Sequence, residues 1–136
     1  MTNHCTLEQS LALKEIEFDM PVRDYYLNGR RLVTPDNENW NAEYFSDSTF
    51  SAPTPSEVLQ WARDKHGIDA WVQVKLNDDT GTKRYVYYIF QSMYYGQSAG
   101  TYPTHPEAES ALVWKIIELI KEIIKENIHD KLNSAE

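Results

Sequence analysis

The sequence predicts an α+β fold, in which an antiparallel sheet carries helices on one face. Two segments, at Thr54 and Thr104, begin with the threonine and following glutamate of a helix capping box. Between them, residues 68–76 alternate apolar and polar side chains at the period of two that is typical of strands. Residues 83–92 form a second strand without an intervening helix, which favours antiparallel pairing over a parallel sheet.

A first helix is predicted over residues 6–18. Thr6 and Gln9 have capping-box spacing, and Met20 before Pro21 ends the helix because a residue before proline avoids the helical region. Its apolar side is expected to consist of Leu7, Leu11 and Ile16.

A hairpin and an aromatic loop are predicted to follow. Asn28 and Gly29 favour a type I′ turn between strands at residues 22–26 and 31–33. Residues 34–55 are polar and irregular but contain four aromatic residues, so we expect a loop over the core with a short strand at 43–45.

The remainder, residues 54–136, is predicted to be an α-β-β-(β)-α unit within a single domain spanning 1–136. Pro55 at the first helical position and Gly67 after the last one bound its first helix. The strand at 83–92 is apolar on both faces, which places it at the centre of the sheet. A short third strand is predicted around residues 93–97.

The last helix, predicted over residues 104–131, carries two adjacent apolar stripes, more than a surface helix needs against one sheet. It is therefore either the centre of the core or half of an oligomer interface. At ~1.5 Å per residue it would span about 40 Å, so its end is expected to project beyond a small sheet. The residues proposed for a homodimer contact are Ile117, Ile120, Ile124 and Ile128.

Charge and composition exclude several classes of function. The net charge of −8 opposes association with phosphate backbones, so we expect no nucleic-acid partner. The single cysteine, Cys5, fits a reducing compartment, and residues 1–6 carry no secretory signal. No run is apolar enough to span a bilayer. We expect a cytoplasmic protein without a membrane partner.

No motif identifies a reaction. The four histidines lack metal-ligand spacing, and one cysteine cannot build a structural zinc site. Asp78, Asp79 and Gly81 do not have the spacing of a calcium loop and are assigned to a hairpin turn. No glycine-rich phosphate loop and no nucleophile elbow occur. We therefore expect no catalytic residue, cofactor or metal, and a protein that is not an enzyme.

Aromatic residues make up 12% of the chain and provide the candidate site. Adjacent strand residues point to opposite faces, so some of them must line an outer sheet face. Tyr and Trp are enriched in protein-binding hot spots. The alternative is that the N-terminal region or the 40–50 loop covers this face. The candidate protein-binding residues are Trp71, Tyr85, Tyr87, Tyr94 and Tyr95.

The element order from Thr54 onward resembles the double-stranded-RNA-binding domain in topology. That family places a lysine cluster at the start of its last helix to contact phosphates. This chain has Pro106-Glu107-Ala108-Glu109 at that position, which would repel RNA. The resemblance therefore implies the fold and not the function.

Three longer stretches resemble a group of small proteins of phages, prophages and mobile elements of gut Bacteroides-type bacteria. This resemblance implies a mobile-element context and carries no catalytic residue. Members commonly close the first helix with a glycine where this chain has Glu17. The stretches are Cys5-Thr-Leu-Glu-Gln with Leu13-Lys-Glu-Ile-Glu-Phe-Asp-Met-Pro21, Ser51-Ala-Pro-Thr-Pro-Ser-Glu with Trp61-Ala-Arg-Asp-Lys-His-Gly-Ile68, and Thr104-His-Pro-Glu-Ala-Glu-Ser-Ala-Leu112.

The function expected from the sequence is that of a non-enzymatic accessory protein that binds another protein. One alternative is an acidic mimic of nucleic acid that inhibits a host nuclease. A second alternative is a ligand-binding or enzymatic fold with a pocket on the tyrosine-rich sheet.

Overall fold

The computed structural model describes residues 4–77, 79–92 and 94–134. In this part of the chain, helices and strands follow one another in an α+β order. They are α1 (Leu7–Glu15), β1 (Val22–Leu27), β2 (Arg30–Glu38), β3 (Thr49–Ser51), α2 (Pro55–His66), β4 (Asp69–Leu76), β5 (Lys83–Gln91), β6 (Tyr94–Gln97) and α3 (His105–Ser134).

The strands form two small antiparallel sheets instead of one. The first sheet has the order β2-β1-β3 and the second has the order β4-β5-β6. The α+β class is therefore confirmed, as are the central position of β5 and the short third strand of the C-terminal unit. Met93, at the start of that predicted strand, lies outside the described residues.

The helices lie between the two sheets. α1 contacts β3 of the first sheet and also α3, whereas α3 contacts α2 and the strands β4 and β5 of the second sheet. One continuous apolar core runs through these layers, from Leu13 and Phe18 to Ile89 and Ile116. The N-terminal third of the chain thus forms its own layer across the helices from the second sheet.

Helix α1 is capped as predicted but ends earlier. Thr6 and Gln9 form the reciprocal capping box, and the helix stops at Glu15 instead of running to residue 18. Glu17 takes a left-handed backbone conformation with φ of 66°, which turns the chain before Met20 and Pro21 are reached. The predicted apolar side is corrected in part, because Leu7 and Leu11 are substantially exposed whereas Ile16 is buried.

The predicted hairpin is confirmed, with positive φ at Asn28 (52°) and Gly29 (80°). β2 continues to Glu38, beyond the predicted end, because β2 is an edge strand and can include Pro35. The strand predicted at 43–45 is wrong. That segment is a turn, and the strand that pairs with β1 lies at Thr49–Ser51.

The caps of the later helices agree with prediction. Thr54 and Glu57 form a reciprocal capping box at the start of α2, and Gly67 ends the helix in the left-handed conformation with φ of 66°. At the start of α3, the Glu107 backbone N–H donates to Thr104 Oγ1 over 3.3 Å.

The first turns of both apolar stripes of α3 are buried inside the molecule, and one stripe becomes partly buried at Leu119 and the other at Ile124. Ile117 and Ile120 retain 2% and 0% exposure, so these two proposed dimer residues belong to the core and cannot meet a second copy. The reason is that α3 has a packed layer on each side. Ile124 lies partly buried at the margin of the core, and Ile128 is 55% exposed where the helix extends past it.

Replacing Glu17 with glycine should stabilise the fold, because glycine takes a positive φ without the steric cost that a side chain meets there. The steric cost of about 1–2 kcal/mol is relieved, and glycine loses about 0.5–1 kcal/mol more conformational entropy on folding, so we expect Glu17→Gly to raise the free energy of unfolding by about 0.5–1 kcal/mol in urea denaturation. Glu17→Ala is the control and should give no such gain, since alanine keeps the Cβ. Equal stabilisation by both variants would contradict a backbone origin.

The layers around α3 predict that the loss of stability on truncating an isoleucine falls steeply along this helix. Ile120→Ala should lower the free energy of unfolding by about 2–5 kcal/mol through the lost burial and the cavity left behind. Ile128→Ala should change it by less than about 0.5 kcal/mol, because the side chain is largely exposed. Chemical denaturation of the two variants checks this, and equal effects would contradict the placement of Ile120 in the core.

Candidate functional site

The register of the second sheet divides its side chains into an inner and an outer face. Ile89 is fully buried and Tyr87 packs against the core, so these residues point toward the helices. Tyr88 and Phe90 alternate with them and point away. Trp71 lies opposite Tyr88 on β4, and so shares the outer face.

Four aromatic side chains lie together on this outer face. The Trp71 and Tyr88 rings stack with centroids 5.4 Å apart and an interplanar angle of 23°. Phe90 is paired with Tyr95 of β6, and these two side chains are 51% and 65% exposed. We define Trp71, Tyr88, Phe90 and Tyr95 as the outer aromatic face.

The five candidate residues are divided between the two faces. Trp71 and Tyr95 belong to the outer aromatic face, whereas Tyr85, Tyr87 and Tyr94 lie on the inner side. Sequence reasoning missed Tyr88 and Phe90. Residues 85–90 are apolar or aromatic at nearly every position, so only the contact with the helices decides which alternate set faces inward.

The inner tyrosines contribute to packing. Tyr85 meets the edge of the His105 ring at 5.7 Å, and Tyr87 stacks on Tyr102 at 6.2 Å. Burial, followed by the neighbouring Tyr102, raises the pKa of the Tyr87 hydroxyl above its ordinary value. Tyr94 lies at the sheet margin, where the Lys115 ammonium is 6.0 Å from its ring centroid.

The N-terminal aromatic loop does not lie over this face. Trp40 stacks on Tyr25 of β1 with centroids 4.1 Å apart, and its indole N–H donates to the Val22 carbonyl over 2.8 Å. Phe45 packs against Trp40 in turn. The loop therefore packs on its own sheet, and the alternative that it covers the tyrosine-rich sheet is wrong.

A second feature, which the sequence did not predict, is a cleft of about 700 Å³ beside β1. His4 Nε2 and Asp24 Oδ2 are 2.6 Å apart there, in an almost buried pair, and Arg31 Nε lies 4.0 Å from the same oxygen. The strand hairpin brings Arg31 opposite Tyr26, close to Asp24. No short-range pattern in the sequence connects His4 with a residue twenty positions away.

This cleft lacks an activated thiol. Cys5, next to His4 in the chain, is 1% exposed and does not line the cleft. Burial, with smaller contributions from Glu57 and Glu109, raises the pKa of its thiol to about 12. Cys5 is therefore protonated at neutral pH and is a poor nucleophile.

No group of three or more His, Cys, Asp or Glu side chains in the described residues is placed to hold a metal ion. No helix among them has both the length and the apolar character needed to cross a bilayer. Asp78 lies outside the described residues, and Asn77 and Asp79 belong to the turn between β4 and β5.

Comparison of the chain with the models of known protein families, with curated proteins and with solved structures gives no significant match.

His66 ends α2 in a partly buried position. Its ring lies edge-on to Trp61 with centroids 5.0 Å apart, and its Nε2 atom has no hydrogen-bond partner among the described residues. Burial, then the nearby charge of Lys65, lowers the pKa of His66 below its ordinary value. The folded state therefore binds this proton less tightly than the unfolded state does.

This difference predicts a loss of stability in mild acid. The folded pKa is depressed, so the contribution of His66 is complete above the unfolded pKa of about 6.5 and is lost as pH falls below it. The urea midpoint should fall between about pH 7.5 and about pH 5.5. His66→Gln should reduce this fall, and His105→Gln, at an exposed position, should keep it. Equal falls in all three proteins would contradict the assignment.

Proposed function

We propose that this protein binds another protein through the outer aromatic face and has no enzymatic activity. The observation that carries the proposal is the contiguous placement of Trp71, Tyr88, Phe90 and Tyr95 on one sheet face, with Phe90 and Tyr95 half exposed or more. Large exposed aromatic groups in one patch are costly to leave in water and are typical of interaction sites.

The arrangement of the patch favours a protein partner with an apolar, uncharged surface. The charged residues on this face, Asp69, Lys75 and Arg84, lie toward the ends of the strands, and the centre holds Trp71 and Tyr88. Strand backbone and ring stacking already restrict these side chains. Little side-chain entropy is therefore lost when a partner binds.

Two other partner classes receive less support. Single-stranded nucleic acid stacks on aromatic platforms, but such platforms normally lie in a positively charged groove, and this chain has a net charge of −8. A mimic of nucleic acid needs unpaired carboxylates in a row. On α3, Glu118 lies 3.6 Å from Lys115 and Glu122 lies 3.8 Å from Lys125, so these carboxylates are partly neutralised.

The ligand-binding alternative would use a cleft and not the exposed side chains of the outer aromatic face. The His4–Asp24 cleft has the volume for a small molecule. It offers an acid–base pair, but the chain's only thiol is buried and protonated beside it. Protein binding therefore has the stronger support.

The proposal is tested by capture from a nuclease-treated lysate of a gut Bacteroides-type bacterium, the source that the sequence resemblance suggests. Wild-type protein is compared with the double variant Phe90→Ser/Tyr95→Ser and with Tyr44→Ser. Tyr44 is a matched control because it is 75% exposed but lies outside the second sheet. We expect one protein to bind wild type and Tyr44→Ser at comparable amounts, and the double variant at least about ten-fold less.

Circular dichroism and urea denaturation should show that the double variant keeps its fold, since both side chains are largely exposed. Recovery of the same proteins by all three baits would contradict the proposal. Binding of a fluorescent single-stranded oligonucleotide that the double variant loses would assign the face to nucleic acid instead.

A further inference from the structure

The free edge of β4 differs from the other sheet edges in the described chain. β2 carries Pro35 and several charged residues, and β3 and β6 are three and four residues long. Prolines, charges and short length are the usual protections against pairing with another chain. β4 is eight residues long and uncharged from Ala70 to Val74.

The hydrogen bonds of β5 show which groups of β4 point to this edge. Tyr85 exchanges both backbone hydrogen bonds with Tyr102, and the Tyr87 carbonyl accepts from the Ser98 N–H. The backbone N–H and C=O groups of these β5 residues therefore point away from β4. In an antiparallel pair the alternate residues then bond to the neighbouring strand. Those residues are Arg84, Val86 and Tyr88, which lie opposite Lys75, Gln73 and Trp71 of β4.

The intervening residues of β4 therefore direct their backbone groups to the free edge. These residues are Ala70, Val72 and Val74, and the described chain provides no backbone partner for their N–H and C=O groups on that side. All three side chains lie on the inner face, and Val74 is 50% exposed.

We propose that a second copy of this chain pairs antiparallel with β4 about a two-fold axis at Val72. Val72 then faces Val72 of the second copy, and Ala70 faces Val74 of the second copy on each side of the axis. Each pair joins residues whose backbone groups point to the edge, which gives about six new hydrogen bonds. The second sheet of one copy and the second sheet of the other then become one continuous sheet.

Several registers would allow the outward-pointing backbone groups of β4 to form hydrogen bonds with a second copy. The charged side chains favour the register centred on Val72. Asp69 and Lys75 stand three residues on either side of Val72, both exposed and both on the outer face. In the proposed pairing Asp69 lies opposite Lys75 of the second copy, and the symmetry makes this contact twice. A shift of the axis to residue 71 or 73 leaves both charges opposite uncharged or non-strand residues.

The pairing also covers apolar groups that are exposed in a single copy. Leu76, which is 60% exposed, comes beside Ile68 of the second copy, and Val74 comes beside Ala70 of the second copy, which packs on the core. Burial of Val74 and Leu76 in both copies adds a hydrophobic contribution to the backbone hydrogen bonds.

Charge reversal tests the register. In sedimentation velocity over a range of concentrations, wild type should form a dimer. Lys75→Glu and Asp69→Lys should each weaken the dimer about ten-fold or more, because like charges then face each other twice. The double variant Asp69→Lys/Lys75→Glu should restore the dimer, since the pairs are only exchanged.

A zero-length carbodiimide cross-link supplies an independent readout. Within one strand, Asp69 and Lys75 are separated by about 20 Å, so the isopeptide bond between them, formed with loss of water, cannot arise inside one chain. In a mixture of ordinary and ¹⁵N-labelled protein, mass spectrometry should find this cross-link joining a light peptide to a heavy one.

Each other outcome overturns the proposal. A monomer at all concentrations, or a dimer that Lys75→Glu leaves intact, excludes pairing along β4. A dimer lost in Ile128→Asp but kept in the charge variants would assign the contact to the end of α3. The variant Phe90→Ser/Tyr95→Ser should keep the dimer, so failure of this inference is distinguishable from failure of the proposed protein-binding function.

Discussion

The fold depends on the burial of α3 on two sides. Its stripes include Leu112 and Ile116 on one side and Val113, Ile117 and Ile120 beside them, and all five side chains are buried. A helix with so wide an apolar surface needs a packed layer on each side. One layer contains α1 and the first sheet, and the other contains the second sheet. Separating these layers would expose core side chains from both halves of the chain.

This arrangement explains why the two sheets differ on their solvent sides. Each sheet gives one face to the helix layer. In the first sheet, Trp40 of the following loop stacks on Tyr25, and Phe45 packs against Trp40. In the second sheet, β4 and β5 are joined by a short turn, and the loop after β6 contacts the outer side at Arg84, which donates to Thr101. The residues of its outer aromatic face, Phe90 among them, are exposed to solvent or to a partner.

The parts of the fold that were predictable from sequence are those determined by interactions between residues close together in the chain. Capping at Thr54 and the left-handed stop at Gly67 depend on residues within one turn of the helix, and both were predicted. The orientation of β5 depends on long-range packing, because Tyr87 and Tyr88 suit either face and only contact with the helices places Tyr87 inward. Glu17 shows the same limit, since nothing in its side chain signals a left-handed backbone.

The edge and the outer face of the second sheet offer two kinds of contact that do not compete. Ala70, Val72 and Val74 present backbone groups in the plane of the sheet, whereas Trp71 and Phe90 project perpendicular to it. The net charge of −8 repels a second copy at long range. Association along β4 therefore depends on short-range hydrogen bonds and on the Asp69 and Lys75 charges at the strand ends. A dimer built this way would place two outer aromatic faces side by side, and a partner with two matching surfaces would bind the second at a high effective concentration.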